Sequence, residues 1–361
     1  MQRVLFISQY LNRNGTEAFM MSVFRGIDHS RFAVDFLLYC QQESDYTREV
    51  EAAGSRIFRV ASRRESVVRW HKELNSFFSQ HAHEYHAIHF CGNSLTSIAP
   101  IYYAWKYKVP VRIIHAHNSS CRGVHNKGLH LLKRTVASRM ATHHFACSTL
   151  AAKWFFGNRA AEIIKNGIEV ANFTFDKAVR EKMRTELGVE ASTKLIGHVG
   201  RFVAEKNHDK LIDIFAEFAK RNPDTKLMLI GKGDLEARIS EKCSMLGIED
   251  KVFMLGERQD VPQLMQAMDL FLMPSLFEGL PYVLIEAQAA GLPCVISDVV
   301  NHDISLTPNV TYLSLNDDAE HWASVLESTL ALFDRTAETA ELVIKAGYSI
   351  DNTIKHLEKI Y

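Results

Sequence analysis

The sequence predicts an α/β protein of two doubly wound, Rossmann-like domains, each a parallel sheet covered by helices, facing a central cleft. Three observations predict it. The chain has 361 residues, more than a single core usually serves. Short apolar runs bounded by Gly, Pro and Asp alternate with helical patterns along most of its length. The alternation lapses once, between 166 and 194, and then resumes. The expected division is a first domain at 1–170, a second at 171–340, and a closing helix at 341–361 that packs back across the junction.

The first strand is VLFIS (4–8), followed by polar Asn12, Arg13 and Asn14 and a helix over 18–24. VDFLLY (34–39), RIFRV (56–60), AIHF (87–90), VRIIHA (111–116) and HHFACS (143–148) continue the series. The second series is LIGHVG (195–200), LMLIG (227–231), VFML (252–255), LFLMP (270–274) and CVIS (294–297). Between its first two strands Leu211, Ile212, Phe215 and Phe218 recur at helical spacing, with Asn207 placed as a cap, so a helix spans 209–220. In open parallel sheets ligands bind beyond the carboxyl ends of the strands, so residues just after strands are the candidates.

Composition excludes several classes of function. Lys plus Arg and Asp plus Glu both number 42, so net charge points to no partner. The balance is uneven: residues 85–161 hold ten of the basic residues and no acid. Such a stretch is either a solvated basic face or a surface for an anionic partner, a membrane or a phosphate-bearing acceptor; no nucleic-acid motif accompanies it. No apolar run reaches the roughly 18 residues of a membrane span, and MQRVLFISQY lacks the features of a signal peptide. The six cysteines form no CxxC pair, so neither disulfides nor a zinc cluster is expected and a cytoplasmic location fits.

Candidate chemistry gathers at strand ends. Arg201 follows LIGHVG, and Lys206 comes just before the helix over 209–220. A helix N-terminus favours anions, and cations there suit a phosphate, although two surface cations would read the same way. Gly15 and Thr16 open the first helix, where a glycine lets backbone N–H groups approach a phosphate; one glycine is also simply a turn, and RNGT is not GxGxxG. Gly231 in the GKGD turn (231–234) is equally open. His115 and His117 alternate onto one face of a strand end, with Asn118 next; the surrounding acid-free segment argues against a metal. In SLFEGLPYVLIEAQAAGLP (275–293), Glu278 precedes a helix begun by Pro281, and Glu286 lies about five residues into it, roughly 8 Å deeper at ~1.5 Å per residue. That spacing suits one carboxylate on a sugar and one on a ribose, and also the carboxylate pair of a glycosidase.

VGRFVAEKNH, DLFLMPSLFEGLPYVLIEAQAAGLP, VRIIHAHNSS and KNGIEVANF together resemble the retaining glycosyltransferases of family 4, with the GT-B fold, of the bacterial capsular, exopolysaccharide and O-antigen type. The resemblance runs from residue 1 to about 303. It implies transfer of a sugar from a nucleotide sugar, a UDP-sugar, to a lipid-linked saccharide acceptor, with no metal cofactor, by a protein peripheral to the inner face of the membrane. It implies that Arg201 and Lys206 bind the donor diphosphate and stabilise the leaving nucleotide, and that Glu286 bonds the ribose. Glu278, with the backbone of Gly279 and Leu280, then meets the donor sugar, and both carboxylates are satisfied by donor hydroxyls. Gly15 and Thr16, with Gly231 and Arg258, complete the donor side. His117 stands near sugar and acceptor, beside Asn118. Many members carry two glycines where this chain has Asn14 and Gly15. A nucleotide-sugar 2-epimerase of the same fold, a non-catalytic sugar-nucleotide-binding subunit and a sugar phosphorylase are the alternatives.

Overall fold

The computed structural model describes residues 1–12, 15–121, 123–278, 280–333 and 335–361. Two compact units are present, one formed by Met1–Gly167 with Ile350–Tyr361, the other by Ile168–Ser349.

The first unit runs β1 (Gln2–Ser8), α1 (Gly15–Gly26), β2 (Phe32–Leu38), α2 (Thr47–Ala52), β3 (Ile57–Arg59), α3 (Val67–His81), β4 (Ala87–Gly92), α4 (Ala99–Lys106), β5 (Val111–Ala116), α5 (Val124–Met140), β6 (His143–Ala146), α6 (Thr149–Phe156) and β7 (Glu162–Ile163). Its strands pair in parallel in the order β3-β2-β1-β4-β5-β6-β7. The order reverses between β1 and β4, the switch point where such sheets hold ligands. Along β1, Val4 and Phe6 enter one core while Leu5 and Ile7 enter the core on the opposite face. That period of two is why the strand reads as an unbroken apolar run.

The second unit runs α7 (Val170–Phe173), α8 (Lys177–Glu186), β8 (Lys194–Val199), α9 (His208–Arg221), β9 (Thr225–Ile230), α10 (Glu236–Met245), β10 (Val252–Met254), α11 (Val261–Ala267), β11 (Leu270–Met273), α12 (Tyr282–Ala289), β12 (Cys294–Ser297), β13 (Val310–Leu313), α13 (Ala319–Leu332) and α14 (Glu338–Lys345). The strands are again parallel, in the order β10-β9-β8-β11-β12-β13, with the reversal between β8 and β11. Leu270 and Leu272 of β11 face one core, Phe271 and Met273 the other.

The expected boundaries need correction. Residues 168–170 belong to the second unit, because the lapse in periodicity contains α7 and α8, which pack on α11 and α12 rather than forming a linker. The segment 341–361 is not one closing helix. α14 completes the second unit, and only α15 (Ile350–Leu357) returns to the first. There Ile350, Ile354, Leu357 and Tyr361 enter the core under α1. Ile354 lies so close to Gly26 that a β-carbon on Gly26 would overlap its side chain. Strands β7 and β13 also escaped the sequence reading. β7 is two exposed residues, and β13 is a half-buried edge strand, so neither shows an apolar run.

Candidate functional site

The second unit assembles a cationic loop cluster at its switch point. Backbone hydrogen bonds set it up. After β8, Gly200 N–H donates to the Ile230 carbonyl and Phe202 N–H to the Lys232 carbonyl, both at 2.9 Å. These bonds press the Arg201 loop onto the turn at Gly231, whose φ is +143°. A β-carbon on Gly231 would overlap the Gly200 carbonyl oxygen, and one on Gly233 the Phe202 backbone. Gly231 N–H in turn donates to the Gly256 carbonyl at 2.9 Å. Gly231 thus acts here as a backbone spacer beneath Arg201.

Lys206 ends a 3-10 turn (Ala204–Lys206), and Asn207 breaks it in the left-handed region at φ 56°. Asn207 stands at the start of α9, but its side chain does not cap the helix as expected. Its Nδ2 donates instead to the Pro274 carbonyl at 3.0 Å, tying the β8 loop to the end of β11. Leu276 N–H donates to the Glu205 carbonyl at 2.8 Å, a second tie between the same loops. The result is an ion pair, Lys206 Nζ to Glu278 Oε1 at 2.7 Å, with 19% and 8% of the two side chains exposed. Glu278 is therefore satisfied within the protein, by Lys206. Arg201 is exposed and its guanidinium has no partner among the described residues.

Glu286 is the fifth residue of α12 and half-buried. No described residue hydrogen-bonds to its carboxylate, and desolvation pushes it up to about 7. Pro281 immediately precedes the helix, one residue earlier than expected. Leu280 packs against the core beside α12. Gly279 lies outside the described residues. Arg258 is not drawn into the cluster: its guanidinium is held by Asp260 at 2.6 and 2.8 Å on an exposed loop.

The unmatched Glu286 gives a prediction with a definite sign. Its folded-state value exceeds the ordinary 4.5 of an unfolded glutamate. The native chain therefore binds the extra proton between about 4.5 and 7, and the associated stability is lost as pH rises through 7. Glu286→Gln is expected to raise the thermal midpoint relative to wild type at pH 8 and to shift it least at pH 5. A variant less stable than wild type at pH 8 would contradict an unpaired carboxylate.

The first unit gathers a second cluster. Gly15 and Thr16 begin α1, and Thr16 Oγ1 lies 3.3 Å from Asn93 Oδ1, just after β4. Ser8 donates to buried Glu17 at 3.2 Å. His117 follows β5, held by its N–H to the Gly92 carbonyl at 3.1 Å. Both its ring nitrogens are buried without a hydrogen-bond partner, and desolvation lowers it to about 3, so it is neutral. Asn118 is exposed. Asn93 and Glu17 were not selected from the sequence; only their position after or beside the switch strands β1 and β4 marks them. His89, Cys91 and His115 bring ligand atoms within 4.8 Å of one another, but a hydrogen bond of 3.1 Å already joins His89 Nε2 to His115 Nδ1.

The basic segment 85–161 is partly structural. Lys133 donates to the Thr96 carbonyl at 2.8 Å, and Met140 is in the core. Of the apolar residues spaced along α5, Leu132 and Val136 are exposed, together with Leu131 and Val124. Lys127 and Arg139 are exposed on the same helix. No helix among the described residues is long and apolar enough to cross a membrane.

Two parallel α/β units, the second with a cationic loop cluster at its switch point, have the architecture of the GT-B fold. Comparison with known proteins narrows the class. Residues 179–348 match the family described as glycosyl transferases group 1. EpsF of Bacillus subtilis (strain 168), named as a glycosyltransferase, is 32% identical over 378 aligned positions that cover 100% of this chain and 96% of EpsF. The UDP-Gal:alpha-D-GlcNAc-diphosphoundecaprenol alpha-1,3-galactosyltransferase of Escherichia coli is 30% identical over 38% of this chain and 36% of its own. Among solved structures, Anabaena Alr3699/HepE in complex with UDP superposes with a TM-score of 0.81 at 21% identity, covering 99% of each chain. The chain belongs to the group 1 glycosyl transferases.

Proposed function

We propose that this group 1 glycosyltransferase is a retaining enzyme of family 4 that moves a hexosyl or N-acetylhexosaminyl group from a UDP-sugar to a lipid-linked saccharide in cell-surface polysaccharide synthesis. The observation that carries the reading is the trio of Arg201, Lys206 and Glu278 at the β8/β11 switch point. A departing nucleoside diphosphate gains negative charge, and fixed cations lower that barrier. Arg201, unpaired, and Lys206, shared with Glu278, take the diphosphate. Glu286, a carboxylate without a partner, accepts the ribose hydroxyls. Neutral His117 serves as a hydrogen-bonding group for sugar and acceptor rather than as an acid or base near pH 7. Two resemblances supply the substrates: HepE was crystallised with UDP and with UDP-glucose, and the E. coli relative is named for a diphosphoundecaprenol-linked acceptor.

The test is a thermal-shift series with UDP-, GDP- and ADP-sugars, each with and without EDTA. A ligand at 100 times its Kd adds about 2.7 kcal/mol. UDP-sugars are expected to stabilise the chain, equally well in EDTA, because two cations hold the diphosphate without a metal. Stabilisation by another nucleotide alone would overturn the donor, and a shift abolished by EDTA and restored by Mg²⁺ would overturn metal independence.

A lipid-linked acceptor brings the first unit to an anionic membrane surface through α5, where Leu132, Val136, Lys127 and Arg139 are exposed. Each basic residue near such a surface contributes about 1 kcal/mol. Lys127→Glu with Arg139→Glu is expected to reduce co-sedimentation with anionic vesicles at low salt by tenfold or more. Equal recovery with neutral vesicles would count against docking. Lys133 is unsuited to this test, since its ammonium already bonds Thr96.

A further inference from the structure

His117 is held by packing. Its ring centroid lies 4.2 Å from that of His115 and 5.2 Å from that of Phe19, and neither nitrogen is hydrogen-bonded. The orientation of His117 therefore depends on the ring it leans against. His115 is fixed in turn by hydrogen bonds that run through the core of the first unit. Its Nδ1 is 3.1 Å from His89 Nε2, and His89 Nδ1 is 2.5 Å from the Tyr361 hydroxyl. All three side chains are buried, His89 and His115 completely.

Burial holds both imidazoles well below their ordinary range and the phenol well above its own, so each group is neutral and carries one proton. Two orders of donation then link the three groups. With Tyr361 O–H donating to His89 Nδ1, the His89 proton sits on Nε2 and is donated to His115 Nδ1. The His115 proton is left on Nε2. The reverse order, with His115 Nδ1–H donating to His89 and His89 Nδ1–H to the tyrosine oxygen, leaves the tyrosine proton without an acceptor among the described residues, whereas the first order leaves the proton on His115 Nε2, which is likewise buried without a partner. In either order the two imidazoles share one tautomer, and the bonds link the C-terminal segment to the ring beside His117.

We propose that Tyr361 is a positioning residue for His117, acting through the Tyr361–His89–His115 hydrogen-bond chain that fixes the ring against which His117 stacks. The inference rests on reading His117 as a substrate-contacting group. It gives α15 a task beyond packing: the helix returns to the first unit and brings Tyr361 to β4. Phe6 and Phe145, with ring centroids 5.1 and 6.3 Å from His89, exclude other hydrogen-bonding partners from that side.

The test removes one oxygen atom. Tyr361→Phe keeps the ring, and long-range ¹H–¹⁵N spectra of the histidine side chains report on the full-length chain without any substrate. The wild type is expected to show His89 and His115 as neutral rings in one shared tautomer, Nε2–H in both or Nδ1–H in both. In Tyr361→Phe that single tautomer is lost and the His117 ring signals shift; His89→Phe, which cuts the chain at its middle, moves the same His117 signals. With UDP-glucose as the donor probe and release of UDP as the readout, Tyr361→Phe lowers kcat by up to about tenfold, the worth of one hydrogen bond, and leaves UDP affinity unchanged. The loss disappears in a His117→Ala background. Unchanged His117 signals in both variants, an equal kcat loss in either background, or a stoichiometric metal ion on the purified chain would each overturn the proposal. If His117→Ala alone keeps wild-type turnover, the role given to His117 fails, while the spectra still decide whether Tyr361 orients it.

Discussion

Lys206→Ala is expected to lower turnover by about 10²–10³-fold, the loss typical when one preorganised charge-stabilising group is removed. The same change should also reduce stability. Lys206 pairs with Glu278, whose side chain is 8% exposed, and truncating one partner of a buried pair strands the other. Such breakage costs roughly 3–5 kcal/mol when the remaining group stays charged, and less if Glu278 takes up a proton. Glu278→Gln in the Lys206→Ala background should therefore recover much of the thermal midpoint and none of the turnover. Arg201→Ala is the contrasting case: with no partner to strand, it should lose turnover to a similar degree at an unchanged midpoint. Single-turnover kinetics beside thermal denaturation of the four proteins separates the two costs. Wild-type turnover in both single variants would remove these cations from the mechanism. A Lys206→Ala midpoint equal to wild type would show that the pair contributes no stability.

Gly231→Ala is expected to cost at least about 3 kcal/mol, in the range of backbone strain added to severe overlap. The added carbon would overlap the Gly200 carbonyl, at a φ of +143° that side chains rarely adopt. Neither loop can retreat cheaply, because Gly200 and Phe202 are bonded to Ile230 and Lys232 on the strand and turn below. For a unit of this size the midpoint should fall by about 6–12 °C, at 2–4 °C per kcal/mol. Nucleotide affinity should fall with it, since the displaced residue next in line is Arg201. Gly247→Ala is the control. It also has positive φ, 64°, but a β-carbon there meets nothing within 4 Å. Its cost should stay near the 1–2 kcal/mol of the left-handed conformation alone. Equal losses in the two variants would mean that loop contact at Gly231 is unimportant.

Some of this was legible in the sequence because it is local. Strands buried on both faces must be apolar throughout, so β1, β8, β11 and β12 announced themselves as VLFIS, LIGHVG, LFLMP and CVIS. Residues following such strands lie where ligands bind, which singled out Arg201, Lys206, His117 and the loop containing Glu278. What stayed hidden depends on contacts between distant segments. Strand order decides that β8 lies beside β11, and only that adjacency joins Lys206 to Glu278, 72 positions apart. The two glutamates looked alike in SLFEGLPYVLIEAQAAGLP, yet one is paired and the other is left with a raised affinity for its proton. The difference lies in which loop each faces, and no pattern within the segment records it. The 272 positions between His89 and Tyr361 conceal their hydrogen bond for the same reason. Composition and periodicity determined the layers of this protein; the burial of particular polar groups, which sets their charge and their partners, was decided only when the strands were placed side by side.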